Sequence, residues 1–549
     1  MMTCILLLLS LLSAAQAALH DVFVGDCIQA AIGAAAPLDT ILIHDGVYVK
    51  SVVLDGHVLT IGSAFLLDGD TTHICQTVIA PDEARPDTES CFVYSHAEPP
   101  GNQLVGLKLL EGRGTYWNDG NGYAGGAVYI RHAELRMNGC QVISSSADYG
   151  GGIAVIGSVM APDAKLILDG STILDCESAL WGGGMYAYQC SVYVHGTTFQ
   201  NDRSLGADGG GLITIATYKE VDSCTFRGCS GVIGGFACNG RGGYVANCLF
   251  EENESIYPWM STDLEVSGEP HVVFHNVFRR NHSGTTAVGL CCASDNSVSF
   301  LDNIVEQDIA RNGLGVFVIA GISGEIAYNT FRHNGASNSG TLYGLQNSHA
   351  RVHHNVFEDN GSIDPNEGSV FVAGPGSHVA LDSNLFFNNR GQTVTYAGTY
   401  HSTIDARNNW WGAATGPYHP TQNPGGQGDT LLSDSVLFIP WLTEPPDTSF
   451  PQSIGERRPK ANPGTWELLD VYPNPFNQSL TLVLAGFGEK DLEIGLYNLL
   501  GQQVDVVHRG AMTGGQLHYQ APSWLASGVY LLSAQDRHGV QTRKVVLLK

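Results

Sequence analysis

The amino-acid sequence predicts an all-β protein, in which a parallel β-helix of about 27 residues per coil is followed by a small C-terminal β-sandwich. Three observations lead to this prediction. A sequence unit recurs at a nearly constant spacing, no 3.6-residue apolar period appears inside the units, and 67 glycines among 549 residues accompany only 15% charged residues. Glycine-rich, charge-poor chains with many short apolar runs are typical of strands joined by turns.

The repeating unit is clearest as an asparagine, any residue and then an apolar residue, as in "HNVFRRN" (275–281), "YNTFRHN" (328–334) and "SNLFFNN" (383–389). The apolar residue, which we call the marker, recurs every 24 to 31 residues over ten intervals. The markers are Val142, Ile173, Phe199, Phe226, Phe250, Phe278, Val305, Phe331, Phe357, Phe386 and Trp411. This regularity predicts a solenoid in which each unit is one coil built from three parallel sheets.

Glycine turns recur in phase with the markers and open alternating strands, as in "GGGMYAY" from residue 182 and "GGGLITI" from residue 209. Gly184 and Gly211 each lie 15 residues before their markers. Glycine suits a sharp turn, and it lets neighbouring coils approach closely. Each coil is therefore predicted to contain a glycine turn, a strand, a bend and a second strand that holds the marker.

The position two residues before the marker predicts a structural ladder. It holds small residues in the early coils and asparagine in the later ones. The predicted ladder consists of Asn276, Asn303, Asn329, Asn355, Asn384 and Asn409. Stacked coils place equivalent residues above one another, so an inward asparagine at a bend can bond backbone groups of the coils above and below.

The segment "ARVHHNVFEDNG" (350–361) admits two interpretations. Its adjacent histidines, His353 and His354, with Glu358 and Asp359 close by, suggest a metal or acid/base site. The repeat favours a structural role, because the segment is one coil and the residues equivalent to His354 in other coils share no ligand chemistry. We therefore expect no metal site here.

The first 17 residues have the pattern of a secretory signal peptide, with an apolar run from Ile5 to Leu12 before the small-residue motif Ala15-Gln16-Ala17. The run is too short to span a membrane as a helix, and no later segment predicts a transmembrane helix. The net charge of −26 argues against nucleic acid and anionic membranes as partners, since both select basic surfaces. The mature chain is expected to be exported and monomeric.

The composition changes after the repeats. Residues 443–465 are rich in proline and lack a strand pattern, which is typical of an extended linker. Residues 466–549 contain short alternating strands, and a segment of this length suffices for a small β-sandwich. The predicted organisation is thus a signal peptide (1–17), a β-helix (18–442), a linker and a C-terminal domain.

The coils resemble the right-handed parallel β-helix of the pectin-lyase-like superfamily. The Asn-x-Phe-x-x-Asn pattern carries this resemblance, together with the entry segment "CIQAAIGAAAPLDTILIHDGVYV", which is similar to a capping helix and first strands, and the tryptophan-rich end "NNWWGAATGPYHP" (408–420). The resemblance covers residues 26–442 and implies the fold. The superfamily includes lyases, hydrolases, epimerases, adhesins and inert surface proteins, so the fold alone does not indicate an activity.

The C-terminal domain resembles the type A sorting domain of the type IX secretion system of Bacteroidetes-like Gram-negative bacteria. The motifs that carry this resemblance are "YPNPFNQSL" (472–480), "LYNLLGQQV" (496–504), "LASGVYLL" (525–532) and "KVVLLK" (544–549). The resemblance implies an immunoglobulin-like sandwich that is recognised by the secretion machinery. It also implies export across the outer membrane, with the protein secreted or held on the cell surface.

The catalytic residue sets of the superfamily are not recognisable in the sequence. Its lyases pair Ca²⁺-binding carboxylates with a Lys or Arg base, but no lysine occurs between Glu220 and Pro459, which leaves arginine for that role. The paired-aspartate segments of its hydrolases are absent, and "DPNE" (364–367) lacks the histidine of the similar epimerase segment. The catalytic residues are therefore unassigned.

The glycine turns supply a candidate binding surface. Tyr149, Trp181 and Asp208 precede three successive turns, and Trp117 lies in the loop before the first turn. Aromatic side chains beside bare glycine backbone and a carboxylate suit a shallow groove for sugar rings. The alternative is that Tyr149 and Trp181 stack on each other and protect a turn.

The expected function is binding of carbohydrate or a surface partner without catalysis. A polysaccharide lyase or hydrolase acting on acidic glycans is one alternative, and a passive surface-layer protein is another. The loop 118–122 has groups that can ligate Ca²⁺, but its few carboxylates favour a simple turn. No cofactor is expected.

Overall fold

The computed structural model describes residues 17–81, 89–96, 98–158, 164–240, 242–255, 264–268, 271–283, 288–291, 297–310, 317–320, 323–336, 342–344, 349–362, 369–373, 378–396, 404–449, 467–472, 479–485, 490–497, 503–512, 515–522, 524–525, 528–536 and 539–547. The chain divides into two compact units, residues 1–448 and 449–549, which are described separately. Residues 1–16 of the predicted signal peptide, most of the predicted linker and the segment 364–367 lie outside the described residues.

The first unit is a parallel β-helix whose coils run in turn through four sheets, numbered here in the order in which a coil visits them. Sheet 1 consists of Val52–Val53, Phe92–Tyr94, Val128–Arg131, Ile153–Ile156, Met185–Tyr188, Leu212–Ile215, Phe236–Gly240, Leu264–Gly268, Val288–Cys291, Phe317–Ala320, Leu342–Gly344, Ser369–Ala373 and Gln392–Tyr396. Sheet 2 consists of Leu19–Val22, Thr40–Ile43, Thr60–Gly62, Asn102–Val105, Glu134–Asn138, Lys165–Asp169, Ser191–His195, Tyr218–Asp222, Gly243–Ala246, His271–Phe274, Ser297–Leu301, Ser323–Ala327, His349–His353, His378–Asp382, Ile404–Asp405 and Val436–Leu437.

The other two sheets of the β-helix complete each coil. Sheet 3 consists of Gly46–Val49, Thr77–Ala80, Lys108–Leu110, Gln141–Ile143, Thr172–Leu174, Thr198–Gln200, Thr225–Arg227, Leu249–Glu251, Val277–Arg279, Ile304–Glu306, Thr330–Arg332, Val356–Glu358 and Leu385–Phe387. Sheet 4 consists of Thr115–Trp117, Gly122–Ala124, Ser146–Tyr149, Glu177–Trp181, Arg203–Ser204, Ser230–Gly231, Glu254–Ser255, His282–Ser283, Ile309–Ala310, Gly335–Ala336 and Gly361–Ser362. A small parallel pair, Pro417–Tyr418 with Gly428–Thr430, lies in the chain between the last two strands of sheet 2.

The coils between Thr115–Trp117 and Gly361–Ser362 therefore have a fourth strand in addition to the three expected. The difference arises two residues after the marker, where a residue in the left-handed conformation bends the chain, as Asn201 (φ 54°) and Glu252 (φ 56°) do. This bend divides the last side of the coil into a marker strand in sheet 3 and a further strand in sheet 4. The parallel stacking and the repeat length agree with the sequence prediction.

The markers form the centre of the core. They are fully buried, and their rings stack in register from coil to coil, as in Phe199 on Phe226 and Phe226 on Phe250, both with centroids 4.8 Å apart. This spacing matches the distance of about 4.8 Å between hydrogen-bonded strands. One apolar side chain per coil, aromatic in most coils, thus fills the interior without a break between layers.

The six asparagines two residues before the markers are buried at the bend from sheet 2 to sheet 3. In Asn329, the backbone N–H donates to Asn355 Oδ1 (2.9 Å), and Nδ2 donates to the same oxygen (3.0 Å) and to the Phe300 carbonyl (2.8 Å). The preceding residue is left-handed in each of these coils, as at Tyr328 (φ 60°). The side-chain amides therefore satisfy backbone groups that the bend removes from the sheets.

A second ladder, which we did not predict, occupies the bend three residues after the marker. It consists of Asn253, Asn281, Asp308, Asn334, Asn360 and Asn389. Asn334 is typical, since its Nδ2 donates to the Val305 carbonyl (2.7 Å) in the coil before it. The Asn-x-Phe-x-x-Asn pattern thus contributes one asparagine to each of two ladders.

The segment 350–361 is one coil. His354 (φ 55°) occupies the left-handed bend position, and its ring stacks on Tyr328 with centroids 5.1 Å apart. His353 is buried and its Nε2 lies 2.8 Å from Glu325 Oε1. The described residues contain no group of three or more His, Cys, Asp or Glu side chains that could hold a metal ion.

The two ends of the β-helix are covered differently. Three short helices, Ile28–Ala34, Phe65–Asp68 and Thr72–Gln76, lie among the first coils, and the first of them buries Ile28 and Ile32 in the main core. In the last coils Trp411 is fully buried and stacks on Phe386 at 4.8 Å, while Trp441 packs against the same core. Covering the final coil keeps its apolar interior from water.

The second unit contains two antiparallel sheets. One sheet consists of Glu467–Tyr472, Ser479–Ala485 and Gly515–Gln520, and the other of Gln503–Met512, Lys490–Tyr497, Gly528–Asp536 and Gly539–Leu547. Residues of both sheets, among them Leu482 and Ile494, share one buried core. The immunoglobulin-like strand order stays a prediction. No helix in the described parts of the chain is long and apolar enough to cross a membrane.

Candidate functional site

The outward face of sheet 1 carries an apolar cluster that is separate from the core of the solenoid. In the strand Met185–Tyr188, Met185 and Ala187 point into the core, whereas Tyr186 and Tyr188 point outward. This alternation follows from the two-residue period of a strand. Tyr186 and Tyr188 lie nearly parallel with ring centroids 6.1 Å apart. The strand after a glycine turn thus supplies an external aromatic surface.

A hairpin formed by Thr115–Trp117 and Gly122–Ala124 lies beside this surface. The Trp117 ring contacts Tyr149 edge-on at 5.2 Å and approaches Tyr186 and Tyr188 at 6.2 and 6.1 Å. Only 6% of Trp117 is exposed. Its ring therefore supports the tyrosines from behind and offers little surface to a ligand.

Three polar contacts hold the hairpin in place. The Tyr149 hydroxyl donates to the Gly120 carbonyl (3.0 Å), and the Tyr123 N–H donates to Asp148 Oδ2 (2.7 Å). The Arg131 guanidinium donates to Asp119 Oδ2 (2.6 Å). Asp119 is the carboxylate of the loop 118–122, which was considered as a Ca²⁺ site, and it already pairs with Arg131.

Tyr149 and Trp181 are aligned in register on adjacent coils of sheet 4. Among the described ring contacts, however, Tyr149 packs on Trp117 and on Tyr186 (5.4 Å) and not on Trp181. Trp181 is half-buried and packs against the cluster, as do Tyr149 and Tyr188. The accessible aromatic surface is thus formed by Tyr149, Trp181 and Tyr188.

Two carboxyl groups continue the surface toward later coils. Asp208 precedes a glycine turn, and Glu265 points outward from sheet 1 two coils beyond Ile213. Burial raises the pKa of Asp208. Burial, and secondarily the negative charge of Asp208, raises the pKa of Glu265 to about 7. The two groups are therefore close enough to interact and are poorly solvated.

We call this whole surface the groove. It comprises the outward residues of sheet 1, the residues that precede the glycine turns, and the hairpin. Its members include Trp117, Arg131, Tyr149, Trp181, Tyr186, Tyr188, Asp208, Ile213 and Glu265. Sequence reasoning missed Tyr186, Tyr188 and Glu265. The alternation in "GGGMYAY" was the available signal for the two tyrosines.

The stacked parallel sheets define the class of the first unit, a parallel β-helix consistent with the pectin-lyase-like fold. Residues 470–548 match the family model of the secretion system C-terminal sorting domain. The chain is thus a β-helix protein with a type IX secretion sorting domain, which places it outside the cell or on the outer cell surface.

Comparison with solved structures gives seven matching chains. One is a crystal structure of a double mutant of the periplasmic alginate epimerase AlgG. It is 10% identical, with a TM-score of 0.28, and the match covers 65% of this chain and 74% of that one. The search of curated proteins found no match.

Proposed function

We propose that this protein binds carbohydrate through the groove, as a secreted or surface-displayed β-helix protein without catalysis. The observation that supports this proposal is the aromatic and apolar surface of Tyr149, Trp181 and Tyr188 on the outside of the solenoid. Sugar rings bind aromatic faces through their apolar C–H surfaces.

An alternative function is cleavage of a polysaccharide. A specific observation favours it, namely the carboxyl pair of Asp208 and Glu265 beside the aromatic surface. With its pKa raised to about 7 by burial, Glu265 is in the range of a general acid. A lyase would instead need a base, and Arg131 in the groove is paired with Asp119. A passive surface-layer role is the remaining alternative.

A binding and activity screen of the full-length secreted protein distinguishes these functions. Neutral, acidic and amino-substituted polysaccharides are tested by calorimetry, with unsaturated-uronate absorbance and new reducing ends followed with and without Ca²⁺. We expect saturable binding without product formation. Trp181→Ala and Tyr188→Ala should each weaken binding about tenfold, consistent with a loss of about 1–2 kcal/mol of stacking.

Tyr418→Ala serves as the matched control, because Tyr418 is 40% exposed and lies outside the groove. It should bind like the unmodified protein. Product formation that is lost in Glu265→Gln would establish the enzymatic alternative. Absence of binding to every polysaccharide would refute carbohydrate binding and leave the passive surface role.

A further inference from the structure

The charges of the groove are strongly one-sided. Among its described residues Arg131 is the single basic side chain, and its guanidinium is paired with Asp119. Asp208 and Glu265 form no ion pair within the described part of the chain, and the negative charge of Asp208 adds to burial in raising the pKa of Glu265. The whole chain carries a net charge of −26, which adds to the negative potential.

The carboxyl groups lie along the same surface as the aromatic rings. The outward position of Tyr186 is followed in register by Ile213, Ala237 and Glu265, so Glu265 stands three coils beyond Tyr186. At about 4.8 Å per coil, this separation is about 14 Å. A linear polymer along the helix axis can therefore contact the tyrosines and the carboxyl pair at the same time.

We propose that the groove selects a glycan with free amino groups, whose sugar rings stack on Tyr149, Trp181 and Tyr188 while its ammonium groups bind at Asp208 and Glu265. This inference rests on the proposed carbohydrate-binding function. An ammonium group offers three donors and a positive charge, which a carboxylate accepts in strong charge-assisted hydrogen bonds. A polyuronate would instead bring negative charge to a negative surface, and such like-charge contacts oppose binding.

A metal ion fits this part of the groove less well. Calcium needs six to eight oxygen ligands, whereas the described residues around Asp208 and Glu265 contribute two carboxylates and contain no group of three metal-ligating side chains. An ammonium ion needs only a few acceptors. The sparse ligand set and the adjoining aromatic surface therefore both favour an amino sugar.

The test measures the affinity of the full-length protein for three hexasaccharides by calorimetry at neutral pH. The probes are the glucosamine hexamer, the N-acetylglucosamine hexamer and the galacturonate hexamer. The first two differ only in whether the amine is free, so their comparison isolates the ammonium group. We expect the glucosamine hexamer to bind at least tenfold more tightly than the acetylated one, and the galacturonate hexamer to bind most weakly.

Two variants test whether Asp208 and Glu265 cause the preference for the free amine. Asp208→Asn and Glu265→Gln, each separately, should narrow the difference in affinity between the glucosamine hexamer and the acetylated hexamer, with both affinities measured on the same variant. Glu306→Gln is the matched control, since Glu306 is an outward carboxylate of sheet 3 and pairs with Arg332. It should keep the full preference.

The outcomes of these measurements separate amino-sugar selectivity from carbohydrate binding as such. Equal affinity for the free and acetylated amines, or tighter binding of the galacturonate hexamer, would overturn the amino-sugar selectivity while carbohydrate binding stands. A preference that survives in both carboxyl variants would also overturn it. No binding of any hexamer by the full-length protein would remove both proposals.

Discussion

Asp308 occupies a position that neighbouring coils fill with asparagine. Its Oδ1 accepts hydrogen bonds from the Asn281 N–H (2.8 Å) and Nδ2 (3.1 Å), while Oδ2 is buried without a partner. In the flanking coils the equivalent atom is an amide nitrogen that donates to a carbonyl, as Asn334 Nδ2 does to the Val305 carbonyl. A protonated carboxyl can donate in the same way, but an ionised one cannot.

The pKa of Asp308 follows from this environment. Burial raises it to about 8, against the opposing effect of the hydrogen bonds from Asn281. Between the unfolded pKa of about 4 and the folded pKa, only the unfolded chain releases the proton. The contribution of Asp308 to the free energy of unfolding is therefore largest below about pH 4, and it falls as pH rises toward 8.

We predict that Asp308→Asn stabilises the β-helix at alkaline pH. The gain should be on the order of a few kcal/mol at pH 8 and should shrink as pH falls toward 4, because the raised pKa no longer matters once both states are protonated. Urea unfolding of the variant and the unmodified protein at several pH values measures this difference. A gain that stays constant with pH would contradict the protonation account.

The reciprocal substitution provides the control. Asn334→Asp places a second carboxyl in the same ladder, one coil further on. Its stability should fall more steeply with rising pH than that of the unmodified protein. Equal pH slopes in all three proteins would show that the ladder tolerates ionised carboxylates.

At the scale of elements, the asparagine ladders hold the bends. We predict that Asn329→Leu destabilises the β-helix by about 1–3 kcal/mol, because the backbone N–H of Asn303 loses its acceptor and the Phe300 carbonyl loses its donor. Gln103→Leu is the matched control, since Gln103 is an exposed amide on a strand of sheet 2. Denaturant midpoints measure both changes. Equal midpoints for the two variants would exclude a ladder contribution at Asn329.

Sheet 3 displays another periodic feature on its outer face. Its third strand positions alternate in charge, in the order Arg227, Glu251, Arg279, Glu306, Arg332 and Glu358. Glu251 accepts hydrogen bonds from Arg227 Nε (2.9 Å) and Arg279 Nε (2.7 Å) in the coils on either side. If a strand paired with the next strand but one, like charges would lie side by side, so the alternation favours the observed pairing of coils.

The sequence predicted the parts of this architecture that repeat. The marker spacing located the stacked rings, because identical positions in stacked coils must meet. The second ladder escaped prediction, since Asp202 and Cys229 occupy its position in earlier coils and Asp308 interrupts its asparagines. In the groove, the alternation in "GGGMYAY" could have predicted that Tyr186 and Tyr188 point outward. The burial of Trp117 could not be predicted in this way, because it depends on how a hairpin packs against a distant strand. Local pattern does not encode such a contact.

At the scale of the whole molecule, the two units have separate tasks. The β-helix completes its own core, with Trp411 and Trp441 at its last coils, and the C-terminal unit has a separate core. The C-terminal unit contains the sorting-domain match, so it provides the export signal. The residues of the groove lie entirely within the first unit.

We predict that deletion of residues 466–549 in the native host leaves a folded β-helix in the periplasm. The described residues of the deleted segment form a core of their own, so folding of the β-helix should persist, whereas the secretion machinery loses its recognition element. Cell fractionation measures the location, and protease resistance with circular dichroism of the retained protein measures folding.

As a control, residues 450–465 are replaced by a Gly/Ser segment of equal length. This variant should be secreted normally if residues 450–465 are only a spacer. Secretion of the truncated chain at the normal level would refute the role of the C-terminal unit in sorting. An unfolded truncated chain would instead show that the β-helix depends on the C-terminal unit for folding.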